Sequence, residues 1–212
     1  MKLAIIGCTG LVGSVVLKVL DEFSVKISNL TLVASPKSIG KKIAFRNKYL
    51  TIVSVEQAVK EKPDIVIFSA GSLVSEKWAP EFSAVGSKVI DNSSFWRMKK
   101  NIPLVVPEVN GFNIKKSTKI IANPNCSTIQ LAVALNEIHQ KFGLKRIVIS
   151  TYQSVTGTGT AAVTQMNNER KGLKSKKIYP HPIDQNCFPH GGDFLENGYT
   201  SCLLYTSPSP RD

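Results

Sequence analysis

A chain of 212 residues, 42% of them hydrophobic, can bury a substantial core and form one or two domains. No run approaches the ~18 apolar residues of a membrane span, and no charged-then-apolar leader precedes the first apolar stretch, so a cytoplasmic protein without membrane partners is expected. Four cysteines (Cys8, Cys126, Cys187 and Cys202) lack the paired spacing of a metal site or disulfide framework, and the +12 net charge is scattered over turns such as Lys41-Lys42 and Lys99-Lys100; neither a metal centre nor a nucleic-acid partner is expected.

The first element is a strand, Lys2-Leu3-Ala4-Ile5-Ile6, followed at once by Gly7-Cys8-Thr9-Gly10-Leu11-Val12-Gly13 and a helical stretch from Ser14 to Leu20. Glycines between a strand and a helix allow a tight turn and close backbone approach to a pyrophosphate, for which the helix start supplies N–H donors. The spacing is Gly-x-x-Gly-x-x-Gly, and a plain tight turn is the alternative. After the next strand, Leu30 to Val33, the dinucleotide arrangement calls for an acidic residue to bind a ribose hydroxyl. Here stand Ala34-Ser35-Pro36-Lys37-Ser38, whose lysine and hydroxyls suit a 2′-phosphate, so NADP is favoured over NAD.

Strands over Thr51 to Val53, Ile65 to Phe68 and Lys88 to Ile90 alternate with helices over Val55 to Lys62 and Val74 to Val85, the pattern of a doubly wound parallel sheet. Ser69-Ala70-Gly71-Ser72 ends the strand at Phe68 in a turn that could border the cofactor.

A strand Lys119-Ile120-Ile121-Ala122 leads through Asn123-Pro124-Asn125 to Cys126-Ser127-Thr128 at the start of a long helix with apolar positions up to Phe142. Unpaired N–H groups and the positive end of the dipole favour an anion there, which suits a nucleophilic thiolate. The flanking Asn and hydroxyl residues can cap the helix and donate to an oxyanion. An inert structural cysteine is the alternative. Beyond it the pattern predicts a strand over Arg146 to Gln153, a turn Ser154 to Gly159 and a helix Thr160 to Arg170, the first part of a second domain; Tyr179 to Gly192 reads as loop.

Five segments in order, Gly7 to Gly13, Asp91-Asn92-Ser93-Ser94-Phe95-Trp96-Arg97-Met98, Val105 to Asn110, Asn123 to Thr128 and Thr151-Tyr152-Gln153-Ser154-Val155, resemble the aspartate-semialdehyde dehydrogenase family. The resemblance implies an α/β fold, a Rossmann-type doubly wound sheet over 1–125, followed over 126–201 by the first part of an α+β catalytic and dimerisation domain. It also implies NADP as cofactor, a homodimer for the full-length protein, and the reductive dephosphorylation of aspartyl phosphate in lysine, threonine and methionine biosynthesis. Cys126 matches the catalytic nucleophile, Arg97 the phosphate-binding arginine and Gln153 a substrate contact, with Asn125 holding substrate or polarising its carbonyl. Gly7, Thr9, Gly10, Leu11, Val12, Gly13, Lys37, Ser38, Thr156 and Gly157 match the cofactor contacts.

Lys37 stands where many relatives carry arginine, keeping the charge without the bidentate fork. The family's chain continues past Gly198-Tyr199-Thr200 to a catalytic histidine, whereas residues 202–212 resemble a translated sequencing-library adapter, with a short disordered natural tail as the alternative, and are expected to take no part in the fold. His139, thirteen residues beyond Cys126 on one helix, would lie roughly 20 Å away and cannot serve as its base. His181 and His190 read as loop histidines, so the 212-residue chain is expected not to turn over. The alternatives carried forward are an N-acetyl-glutamyl-phosphate reductase-like enzyme and a non-enzymatic NADP-binding module.

Overall fold

The structure is a computed structural model and describes residues 1–174, 176–188 and 196. Strands β1 (Lys2–Ile6), β2 (Asn29–Val33), β3 (Lys42–Phe45), β4 (Lys48–Val53), β5 (Ile65–Phe68), β6 (Lys88–Asp91) and β7 (Ile120–Ala122) form one sheet in the order β3-β4-β2-β1-β5-β6-β7. Every neighbouring pair is parallel except the β3–β4 hairpin at one edge. β1 lies at the centre, with β2 and β5 on its two sides.

That position explains its composition. Leu3 and Ile5 pack with Leu17 and Leu20 of helix α1 (Leu11–Glu22), while Ala4 and Ile6 pack on the opposite face with Phe68, Ala79 and Phe82. A central parallel strand is covered on both faces and so reads as an unbroken apolar run. Helix α2 (Val55–Lys60) supplies Ala58 to the second face and helix α3 (Ser72–Ala84) supplies Ala79 and Phe82; Ser54 caps α2 by accepting the Gln57 N–H.

The β3–β4 hairpin is not apparent in the sequence pattern, because its two-residue turn lacks glycine. Arg46 takes the left-handed conformation instead, at φ 52°. Its guanidinium donates to the Leu20 and Val25 carbonyls and to Asp21, tying the hairpin to the end of α1. Those contacts hold a conformation that a non-glycine residue adopts at a cost.

After β6 the chain passes through a short helix α4 (Pro107–Asn110) to β7 and helix α5 (Cys126–Phe142). The strand expected over 146–153 does not form. Ile147, Val148, Ile149 and Tyr152 are exposed, and no described segment pairs with them. An apolar run becomes a strand only where a neighbour accepts and donates its backbone hydrogen bonds. Helix α6 (Thr160–Arg170) forms over the expected residues. The described part of the loop beyond it is fastened to α6: Gln165 Oε1 accepts the Ile178 and Tyr179 N–H groups, and Glu169 accepts those of Ile183 and Asp184. Among the described residues no helix is long and apolar enough to cross a membrane.

Candidate functional site

The chain runs from β1 towards one edge of the sheet, then returns to β5 and proceeds to the other. The carboxyl ends of the adjacent strands β1 and β5 therefore flank a topological switch point, where α/β sheets open a ligand crevice. The glycine-rich turn follows β1 and the Ser69-Ala70-Gly71 turn follows β5, so the sheet order brings the two together. Gly7 has φ +93°, and a Cβ on it would lie 2.2 Å from the Ser69 carbonyl oxygen; a Cβ on Gly13 would lie 2.2 Å from the Gly7 carbonyl oxygen. Both positions exclude any side chain.

The same turn reaches sideways to β2. The N–H groups of Gly7 and Cys8 both donate to the Val33 carbonyl, at 2.8 and 3.0 Å, and Val33 leads directly into the segment bearing Lys37 and Ser38. Lys37 is exposed in the turn Pro36–Ser38. Helix α1 starts at Gly10 with no side-chain cap, and α3 starts the same way at Gly71, so two uncapped helix starts stand at the ends of neighbouring strands. Exposed Thr9, Leu11 and Val12 line the first of them. Uncapped N–H groups beside glycines that admit no Cβ fit the pyrophosphate of a dinucleotide.

Cys8, inside this turn, is not part of the open surface. It is buried among Leu3, Leu17 and Leu32, and that burial pushes its thiol up to about 11, with a backbone N–H contact opposing the rise.

Two strands further on, β6 and β7 end side by side. Asn125 caps α5, its side-chain oxygen accepting the Ser127 N–H at 2.9 Å. Cys126 is the first residue of α5 and is exposed, its Sγ 3.8 Å from Asn125 Oδ1. Arg97, half-buried after β6, donates from Nε to the Asn123 carbonyl and from Nη2 to the Asn92 carbonyl, each at 2.9 Å. The structure thus joins Arg97 to the loop that carries Cys126. Gln153 is exposed and rests on Gly157, where an added Cβ would come within 1.9 Å of its amide nitrogen. Ser154 caps the turn holding Thr156 and Gly157. Gln153 makes no hydrogen bond to Asn125 or Cys126 among the described residues.

The histidines are engaged elsewhere. His139 Nδ1 accepts the Leu144 N–H at the far end of α5, and His181 packs edge-on against Phe188. His190 and Cys202 lie outside the described residues. Among the described residues no group of three or more His, Cys, Asp or Glu could hold a metal ion. Spacing alone misses Asn92, which bridges the ends of β5, β6 and β7.

The sheet order, the glycine turn at its switch point and the uncapped helix starts define a dinucleotide-binding α/β domain followed by the opening of a second unit. Residues 2–117 match the family model described as semialdehyde dehydrogenase, NAD binding domain, and residues 135–205 match that of the semialdehyde dehydrogenase dimerisation domain. The chain belongs to the semialdehyde dehydrogenase family. It is 46% identical over 208 residues to an aspartate-semialdehyde dehydrogenase of Aquifex aeolicus, covering 94% of this chain and 61% of that protein. An aspartate-semialdehyde dehydrogenase of Bacillus subtilis is 39% identical over 212 residues with the same shares covered. The chain thus spans about 61% of the length of these relatives. The fold superposes on aspartate semialdehyde dehydrogenase II from Vibrio cholerae complexed with ASA with a TM-score of 0.90, at 40% identity, over 97% of this chain and 63% of that one. A Candida albicans aspartate semialdehyde dehydrogenase with NADP is more distant, with a TM-score of 0.55 at 26% identity over 68% of this chain and 48% of that one.

Proposed function

We propose that this chain carries the cofactor-binding and nucleophile-bearing parts of an NADP-dependent aspartate-semialdehyde dehydrogenase, which reduces aspartyl phosphate to aspartate semialdehyde. The observation that carries this reading is Cys126, an exposed thiol on the first turn of a 17-residue helix, in a loop to which Arg97 is hydrogen-bonded. The names of the relatives favour aspartyl phosphate over other acyl phosphates.

In this reaction the Cys126 sulfur attacks the acyl carbon, the bond from that carbon to the phosphate oxygen breaks, and inorganic phosphate leaves with the bonding pair. Arg97 binds the departing phosphate, a task suited to its planar fork. Asn125 and the N–H groups at the start of α5 stabilise negative charge on the acyl oxygen. Gln153 contacts the aspartyl portion. The glycine turn from Gly7 to Gly13 would hold the cofactor pyrophosphate, Lys37 and Ser38 its 2′-phosphate, and Thr156 and Gly157 would supply further cofactor contacts. Reduced NADP, when bound, supplies the hydride that takes the thioester carbon to the aldehyde level. Breaking the carbon–sulfur bond then returns the electron pair to Cys126 and frees the aldehyde. The full-length protein acts as a homodimer in the cytoplasm.

The acylation half-reaction tests this, because it needs only the thiol and the phosphate site. Aspartyl phosphate is expected to release one equivalent of inorganic phosphate and leave an acyl adduct on the Cys126 peptide, and neither in Cys126→Ser. An adduct formed only with N-acetyl-glutamyl phosphate would move the assignment to that reductase. NADP binding with no adduct from either acyl phosphate would leave a nucleotide-binding module.

A further inference from the structure

The ends of β5, β6 and β7 are joined by side-chain hydrogen bonds added to the main-chain ones. Asn92 Nδ2 donates to the Phe68 carbonyl at 3.0 Å, and Asn123 Nδ2 donates to Asn92 Oδ1 at 2.6 Å. The Asn123 main-chain N–H donates to the Asp91 carbonyl at 2.8 Å. The carbonyls of these same two asparagines receive the two Arg97 bonds described above.

This arrangement has a fixed direction. The Phe68 carbonyl can only accept, so Asn92 must turn its nitrogen towards it and its oxygen towards Asn123, which must then present its own nitrogen. An amide is needed at both positions, since a carboxylate at either would set oxygen against oxygen. Both side chains are half-buried, where an unmade polar contact is costly. The pair therefore holds the two carbonyls that receive the guanidinium, and Asn123 lies three residues before Cys126.

We propose that Asn92 and Asn123 are positioning residues: their amide–amide bond fixes the two carbonyls that aim Arg97 and so sets the relation between the anion-binding guanidinium and the Cys126 thiol. This rests on the roles assigned above to Arg97 and Cys126.

The test compares alkylation of Cys126 by iodoacetate, an anion, with alkylation by neutral iodoacetamide. The Cys126 peptide is read by mass spectrometry because Cys187 is also exposed. A correctly aimed Arg97 attracts only the anion, so Arg97→Ala is expected to lower the iodoacetate-to-iodoacetamide rate ratio about tenfold. Asn92→Ala, Asn123→Ala and the double variant are each expected to give the same loss with Arg97 still present, the double no worse than either single. A merely structural role would change both reagents' rates alike and leave the ratio at its original value, which overturns the proposal. A ratio insensitive to Arg97→Ala overturns the Arg97 assignment and this proposal together, whereas a ratio sensitive to Arg97 and indifferent to the asparagines overturns this proposal alone. A second measurement needs no substitution: in the unaltered chain, inorganic phosphate is expected to shift the side-chain amide resonances of both asparagines along with the Arg97 Nε–H signal. A phosphate shift at Arg97 with none at the asparagines overturns the proposal.

Discussion

Gly13 lies against the carbonyl of Gly7 so closely that an added Cβ would sit 2.2 Å from the oxygen. The contact is with backbone at both ends, so no side chain can swing away to relieve it. Gly13→Ala is expected to destabilise the chain by roughly 2 kcal/mol or more in chemical denaturation and to weaken NADP binding at least tenfold. Gly40→Ala is the control. Unlike the helical Gly13, Gly40 has a positive φ of +85°, but its Cβ meets nothing within 4 Å, so the cost should be only the ~1 kcal/mol of left-handed backbone.

Lys37 should set the choice of dinucleotide. Lys37→Ala is expected to weaken NADP binding about tenfold, in line with loss of one charge-assisted contact, while leaving NAD binding unchanged. Lys37→Arg should tighten NADP by restoring a planar fork. Fluorescence titration with the two cofactors measures both, and an equal loss for NADP and NAD would contradict the role.

Burial of Cys8 makes stability depend on alkaline pH. Its thiol is raised from an ordinary value of 9.0 to about 11 in the folded chain. Below pH 9 the thiol is neutral in both states, and its contribution is complete. Between about pH 9 and about 11 the unfolded chain ionises there and the folded chain does not, so stability falls as pH rises. The denaturation midpoint is expected to drop more steeply across that window than in Cys8→Ala.

Glu169 gives a dependence of the opposite sense. Its carboxyl is held below the usual range chiefly by the bond from the Gln165 side chain, with the Asp184 and Ile183 N–H groups adding to it. A lowered carboxylate contributes stability above its unfolded value of 4.5 and loses it as pH falls through the folded value. Hydrogen-exchange protection of the Ile183 and Asp184 amides is expected to decline on acidification below the carboxylate range. Glu169→Gln should lower that protection at neutral pH and remove its acid dependence.

The glycine turn after β1 and the helix start at Cys126 were legible because their local signals are strong. A glycine turn between a strand and a helix needs only neighbours in the chain to declare itself, and Asn125 before a helical run is a cap wherever it occurs. Segments without such signals were misread or missed. The β3–β4 hairpin turns on Arg46, whose left-handed conformation depends on carbonyls of α1 and the residues after it. The 146–153 run has every local mark of a strand and remains unpaired among the described residues. Asn92 fell within a segment that resembles the family, but its own role was not legible, since it depends on a carbonyl on β5 and an amide beyond β7.

Periodicity, glycine spacing and helix capping act over a few residues, so the amino-acid order alone specified the alternating strands and helices, the turn from Gly7 to Gly13 and the start of α5 at Cys126. The sheet order β3-β4-β2-β1-β5-β6-β7 decided the rest. It set the β1 and β5 turns side by side, buried Cys8 while leaving Cys126 exposed, and placed the carbonyls of Asn92 and Asn123 around one guanidinium. Such relations join residues dozens of positions apart, and they exist only once backbone hydrogen bonds have set neighbouring strands at a fixed spacing and register.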